Sequence, residues 1–477
     1  MIQLSRRNFL GGAVALFGAS GCRSLGLAGE KPNISFGVIS DIHVTTPEST
    51  AVFRRALEYF RDRKVDAVIV SGDLSDWGLR SGLKYVADAW CSVFPNDRAP
   101  DGRKVEKLFC TGNHDYDGYW YGDMTLDMHV QGYSEEEALV NLGMKKCWEE
   151  AFNEPFAPVR RRMVKGYDFI SAEWKEGEGW QKEAEAWFAQ NGKSLDPKKP
   201  FFFFTHYPLG GTTSASSKTA PKIEAFLKMP NAVAFSGHCH WTLNDERSIW
   251  QGEYTALAVP SMSYTTIPGG YENGSDSRRG NPKASMMKIP ARPELREAQG
   301  YLVSVFNDRL EVERRDFTEG VEAAPAWIVT PPAAAASRYA FANTKKRTPV
   351  PEFPEGATVS ANVCNTEDRD GHWAIMMRLE FPSARVRKGR VYDYEVRIEM
   401  EDGAVPTVKR FLAPAFYRLE RDEPARQSFL FNAMALPETG KYRFRVYPRN
   451  CFGACGKPIE SKVFQSVPGK DKSKRFA

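Results

Sequence analysis

The segment that decides the fold is AVAFSGHCHW, Ala232–Trp241. A small, mostly apolar run meets a glycine and then two of the chain's seven histidines, His238 and His240, set around Cys239. Such a run reads as a short strand buried on both faces, as in a parallel sheet. Sheets of that kind bind ligands beyond the carboxyl ends of their strands, where this polar cluster falls. Taken alone, two neighbouring imidazoles serve equally as metal ligands or as polar residues closing a strand.

Outward from there the arrangement recurs. ISFGVIS ends at Asp41–His43, DAVIVS at GDLSD, KLFCT at GNHD and PFFFFT at His206. Helical patterns lie between. TAVFRRALEYFRDR puts Val52, Phe53, Ala56, Leu57 and Phe60 on one face, and GLKYVADAWCSVF does the same with Leu83, Val86 and Trp90. From Asn33 to about Thr265 this alternation predicts an α/β sheet with parallel pairs. The aromatic, acidic span 116–165 breaks the rhythm and reads as an insertion beside the site. The Gly- and Asn-rich stretch 267–285 reads as a loop able to line a substrate entrance.

The polar residues at the five strand ends are Asp41, His43, Asp73, Asn113, His114, His206, His238 and His240; only His129 and His372 among the histidines fall elsewhere. Carboxylates, neutral imidazoles and one amide oxygen suit Zn, Mn or Fe, not a thiolate site. Seven of them as ligands are too many for one tetrahedral ion but suit two ions sharing a carboxylate. Such a pair, ~3.5–4 Å apart, can clamp a phosphoryl group for in-line attack.

As an ordered set of blocks (D-x-H, GD, GNHD, H, GHxH), the pattern resembles the calcineurin-like metallophosphoesterases over about residues 33–320. The resemblance implies a fold of two sheets packed between helical layers. It implies that Asp41, His43 and His240 bind one metal, that Asn113, His206 and His238 bind the other, and that Asp73 bridges them. His238 and His240 would then lie two apart in an extended segment, each serving a different ion, with Cys239 turned away. It further implies that His114 donates to the phosphate or leaving oxygen, with Asp76 orienting it; capping of the following helix is the competing role for Asp76. Purple acid phosphatases carry a tyrosine at the place of Asp76, and protein phosphatases an arginine at that of Trp77, so the chain departs from both branches. The expected reaction is hydrolysis of a phosphodiester by a metal-bridging hydroxide, with phosphomonoesterase or nucleotide pyrophosphatase activity as alternatives. An alternative of another class is a surface-anchored, metal-containing binding protein without turnover.

The remaining sequence bounds where and how this chemistry is housed. A chain of 477 residues predicts two or more domains. A net charge of +5 makes no case for nucleic-acid binding. Residues 1–29 read as a targeting segment: SRRNFL, with Arg6 and Arg7, resembles a twin-arginine export signal, and ASGC resembles a lipoprotein box that would attach Cys22 to a membrane. That predicts a periplasmic or lipid-anchored protein. The strands YLVSVFNDRLEVERRDF read as a hairpin closing a catalytic domain at 30–322, and 323–350 as a linker, so that the catalytic half would fold alone. From 351 to 468, alternating runs such as RVYDYEVRIEM and KYRFRVYPRN predict a β-sandwich that weakly resembles a fibronectin type III module. Its partner is not readable, and Cys451 and Cys455 are spaced to pair if exported.

Overall fold

The computed structural model describes residues 30–76, 80–116, 143–173, 179–266, 268, 270–273, 298–334, 336–368, 372–417 and 423–466. Arg6, Arg7, Cys22, Trp77, His129 and most of the 116–165 insertion lie outside them. Pro32–Ala477 form one compact unit. Among the described residues no helix is long and apolar enough to cross a membrane.

The chain begins with β1 (Ile34–Ile39), α1 (Ala51–Asp62), β2 (Ala67–Ser71), α2 (Arg80–Val93) and β3 (Glu106–Cys110). After α3 (Met144–Phe152) come β4 (Val159–Val164), β5 (Tyr167–Ala172), α4 (Gly179–Asn191), β6 (Phe201–Thr205), β7 (Ala232–Ser236), β8 (Ile249–Gln251) and β9 (Thr255–Ala258). Three further strands follow: β10 (Gln299–Val305), β11 (Leu310–Asp316) and β12 (Val321–Val329). Two six-stranded sheets result, in the orders β12-β11-β10-β1-β2-β3 and β4-β5-β6-β7-β9-β8. β1, β2 and β3 pair in parallel, as do β5, β6, β7 and β9.

The apolar runs explain the layers. Along β1, Ile34, Phe36 and Val38 point into a core shared by the two sheets, where Phe202 and Phe204 of β6 and Phe235 of β7 meet them. The alternate residues of β2, Val68 and Val70, pack instead against Phe53, Leu57 and Phe60 of α1 and Trp90 of α2. Phe201 and Phe203 face Phe188 of α4 on the far side. Period-two side chains on strands buried twice over give helix, sheet, sheet, helix. Val52 of the expected α1 face is only half-buried.

The all-β region at the C-terminus has sheets β13-β14-β17 and β16-β15-β18-β19, with β20 beside β18: β13 (Ser360–Glu367), β14 (Trp373–Pro382), β15 (Asp393–Met400), β16 (Thr407–Leu412), β17 (Arg426–Asn432), β18 (Lys441–Arg449), β19 (Ile459–Glu460) and β20 (Phe464–Gln465). Phe381, Tyr394, Phe411, Phe429 and Phe444 fill its core. His372 is exposed, and Cys451 and Cys455 are both free thiols.

The stretch 323–350, expected as a linker, is partly built into the sheets. Its first residues complete β12, which pairs with β11, and Tyr339 is buried in the inter-sheet core with its hydroxyl accepting from the Ile328 N–H at 2.9 Å. A short helix, α5 (Phe341–Arg347), follows. Further ties run from the loops after β7 and β9 to the β-sandwich. Asn244 donates to the Phe416 carbonyl at 2.8 Å. Glu272 N–H donates to Arg410 O at 2.8 Å, and the Asn273 amide exchanges two hydrogen bonds with the Leu412 backbone at 2.7 and 3.1 Å.

Candidate metal centre

Five strand ends from the two sheets deliver the motif residues to one place: β1, β2 and β3 from one sheet, β6 and β7 from the other. The donor atoms gather in two clusters that share Asp73, one of Asp41, His43, Asp73 and His240 and one of Asp73, His206 and His238, with a third group of His43, Asp76 and His114 beside the first. Asn113 joins the second: its Oδ1 lies 3.0 Å from His206 Nε2 and 3.0 Å from His238 Nδ1. Asp73 Oδ2 lies 3.1 Å from His206 Nε2 and 3.7 Å from His43 Nε2, between the clusters.

Protonation tests whether these groups fit cations. His43 Nδ1 meets the Asp76 carboxylate at 2.9 Å, and His240 Nδ1 meets the Tyr264 carbonyl at 3.2 Å. Neither acceptor carries a hydrogen, so each neutral ring keeps its proton on Nδ1 and presents a lone pair at Nε2. Those two lone pairs face each other at 3.2 Å, with Asp41 Oδ1 3.0 Å from His240 Nε2. His206 repeats the pattern: its Nδ1 meets the Ser71 carbonyl at 2.9 Å, turning Nε2 to Asp73 and Asn113. Acceptors converging on acceptors in a buried site call for a proton or a metal cation between them. Backbone or carboxylate partners on the remote nitrogen are the usual way of orienting metal-ligating histidines. The set fits divalent ions, held by Asp41, His43, Asp73 and His240 on one side and Asp73, Asn113, His206 and His238 on the other.

The same crowding sets the titration. Burial works against a charge on His206, but Asp73 and Asp41 outweigh it and push the imidazole up to about 9. Burial, then the His206 charge, push His238 down to about 4. Asp41 is held far below the usual carboxylate range, because His240, His206 and His43 override its burial.

The backbone is bent to bring these side chains together. Asp41, His43, Asp73, His238 and His240 have φ of 53°, 51°, 51°, 68° and 47°. They are five of the ten non-glycine residues with positive φ among those described. Each costs of order 1–3 kcal/mol and persists only where its surroundings enforce it. This corrects the expected extended segment: His238 and His240 are sent to different clusters by two left-handed turns. Glycine supplies the clearance. A Cβ on Gly237 would lie 1.9 Å from Ser40 Oγ and 2.5 Å from Asp41 Oδ2, and one on Gly112 would lie 2.2 Å from Asp73 Oδ1.

His114 stands beside the first cluster. Its Nδ1 lies 3.0 Å from Asp76 O and 3.2 Å from Asp76 Oδ1, and the hydrogen bond to Asp76 raises the ring to about 9. Asp76 is held far below the carboxylate range: burial opposes this, but His114 and His43 prevail. One carboxylate thus orients both a candidate ligand, His43, and His114, a double role that sequence spacing did not reveal. Cys239 stays out of the donor set: its thiol donates to Ala215 O at 3.0 Å, and burial pushes it up to about 12.

Two further residues were missed. Asp115, fully buried, accepts backbone N–H groups of Leu74, Ser75 and Gly112 at 3.2, 2.9 and 2.8 Å. It ties the ends of β2 and β3 together, although burial and the Asp73 charge push its carboxyl up to about 7. The final D of GNHD was its only trace in the sequence. Tyr264, 39% exposed, lies with its ring centroid 4.1 Å from that of His240, and burial followed by the Asp41 charge pushes its phenol up to about 12. Nothing in its local sequence marked it.

Comparison with known proteins agrees with this geometry. Residues 34–241 match the family model described as Calcineurin-like phosphoesterase. That span is a calcineurin-like metallophosphoesterase domain, and the class is that of metal-dependent phosphoesterases. No curated protein matches the chain. Among solved structures, a dimetal phosphatase from Danio rerio is 11% identical with a TM-score of 0.36, the match covering 63% of this chain and 99% of that one. A purple acid phosphatase from yellow lupin (Lupinus luteus) seeds is 12% identical with a TM-score of 0.36, covering 63% of this chain and 55% of that one.

Proposed function

We propose that the chain hydrolyses phosphodiesters at a two-ion centre bridged by Asp73. The observation carrying this reading is the single carboxylate shared by two donor clusters, beside His114, whose ring is held by the Asp76 carboxylate and carbonyl. Two bound divalent ions, of Mn, Zn or Fe, would supply an activated water and neutralise phosphoryl charge. The chain's own part is positional. Asp41, His43, Asp73, Asn113, His206, His238 and His240 fix the centre, and His114 holds a proton for the leaving oxygen. Asp76 fixes that imidazole through its carboxylate and carbonyl.

Preference for a diester rests on charge. The ionic partners of the site's carboxylates are histidines; among the described residues no arginine or lysine pairs with them. A diester brings one negative charge, whereas a monoester dianion favours an added cation. The test is a substrate panel with protein loaded separately with Mn, Zn and Fe. Faster turnover of bis-(p-nitrophenyl) phosphate than of p-nitrophenyl phosphate or a nucleotide pyrophosphate supports the diester reading. The reverse order refutes it, and no turnover with any metal supports a binding protein.

Location follows from Arg6, Arg7 and Cys22. We propose twin-arginine export and lipid attachment at Cys22. Unchanged export of R6K/R7K refutes the first, and a fully soluble native protein refutes the second.

A further inference from the structure

One cavity among the described residues lies away from the metal centre. About 900 Å³ in volume, it opens between the β12 edge of the phosphoesterase domain and the C-terminal β-sandwich, reaching Asn244 and Glu246 on the loop after His240. Its size is that of a small-molecule site. Six basic side chains line it against two acidic ones. One acidic group, Glu246, is consumed by Arg314 at 2.8 Å. Arg314 also spends its donors on the Pro325 and Leu243 carbonyls and lies over Trp327, so it belongs to the wall.

The rim differs. Arg338 and Arg347 come from 336–351, and Arg385, Lys388 and Arg390 from 382–392, two stretches without an acidic residue. Among the described residues, Arg338, Arg347, Arg385 and Lys388 form no ion pair with a carboxylate. Arg347 donates to the Arg338 carbonyl at 2.6 Å; burial and then the Arg338 charge hold its guanidinium below its ordinary value. Like charges crowded at a concave mouth focus a positive potential into it, and arginine forks match phosphate, sulfate and carboxylate oxygens.

We infer that this interdomain cavity is a second ligand site, separate from the metal centre, for a small organic polyanion bearing two or more phosphate, sulfate or carboxylate groups. The test is calorimetric titration of the full, metal-loaded chain with myo-inositol hexasulfate, whose sulfate esters are not phosphoester substrates. The expected result is one site per chain whose affinity falls at least tenfold in R338E/R347E and in R385E/K388E. A double reversal elsewhere on the surface, R61E/K84E, should leave affinity within threefold of native, and all three variants should keep native diester turnover. Absence of binding at low salt overturns the inference. So does equal weakening in the control variant, which would mean net charge alone. Competitive inhibition of turnover that persists in both rim variants would place the probe at the metal centre and also overturn it.

Discussion

Replacing Asp76 by Asn keeps the shape of the side chain and removes its charge. The carboxylate lies 2.9 Å from His43 Nδ1 and 3.2 Å from His114 Nδ1, and it is the main reason His114 is raised from its ordinary 6.5 to about 9. The sign is that of a raised base: the protonated, acid-competent ring persists until pH climbs through its folded value. At pH 8 a ring titrating near 9 is about 90% protonated and one near 6.5 about 3%, a difference of about 30-fold. Bound ions, being cations, draw His114 down, so about 30-fold is a ceiling for this effect. The assay is the pH profile of turnover at saturating metal, on an alkyl ester and on a p-nitrophenyl ester. The alkyl ester should lose rate in the variant from a lower pH onward, because a poor alkoxide needs the proton. The nitrophenolate leaves without it and should be affected less. Superimposable profiles, or equal losses on both esters, would refute the assignment of His114 as the acid and Asp76 as its support. Loosening of His43 has its own signature, a 10–100-fold weaker metal affinity, read separately in a metal titration.

Two other substitutions probe the frame around the centre. Gly237→Ala forces a Cβ to within 1.9 Å of Ser40 Oγ; it should cost about 1–3 kcal/mol of stability and, by displacing Asp41, lower metal content, so a variant with native metal content and native urea midpoint would contradict the packing described. Asn244→Ala removes the 2.8 Å donor to the Phe416 carbonyl and leaves it only the Thr242 hydroxyl at 3.4 Å, so stability should fall by about 0.5–1.5 kcal/mol; a chain ended after Thr330 loses this and the Asn273–Leu412 ties and should turn over more slowly, whereas unchanged activity of the shortened chain would show that the sandwich does not support the site.

The strand-end motifs were legible because each is local: an apolar run, a turn and a polar residue within about ten positions. The buried faces of α1 and α2 were legible through their spacing. What escaped depends on distant partners. Asp76 reaches His43 across 33 residues and His114 across 38, and only the folded chain brings them together. Left-handed φ at five candidate ligands breaks the residue preferences that sequence reading relies on, as functional sites do. Tyr264 carries no motif and meets His240 only in the folded chain; Asn244 and Asn273 carry none either, and their roles come from the apposition of two regions that the linker reading of 323–350 had set apart. Pairing of β12 with β11 and the bond from Ile328 N–H to the Tyr339 hydroxyl are what join that stretch to the sheet.

Metal content of Asp73→Asn beside the native protein, measured by elemental analysis after reconstitution, tests the two-ion centre most directly. Asp73 is the one carboxylate common to both clusters, so native protein should hold two ions per chain and the variant one or none, with turnover falling in step. Two ions retained in Asp73→Asn, or a single ion in the fully active native chain, would contradict the shared-carboxylate centre.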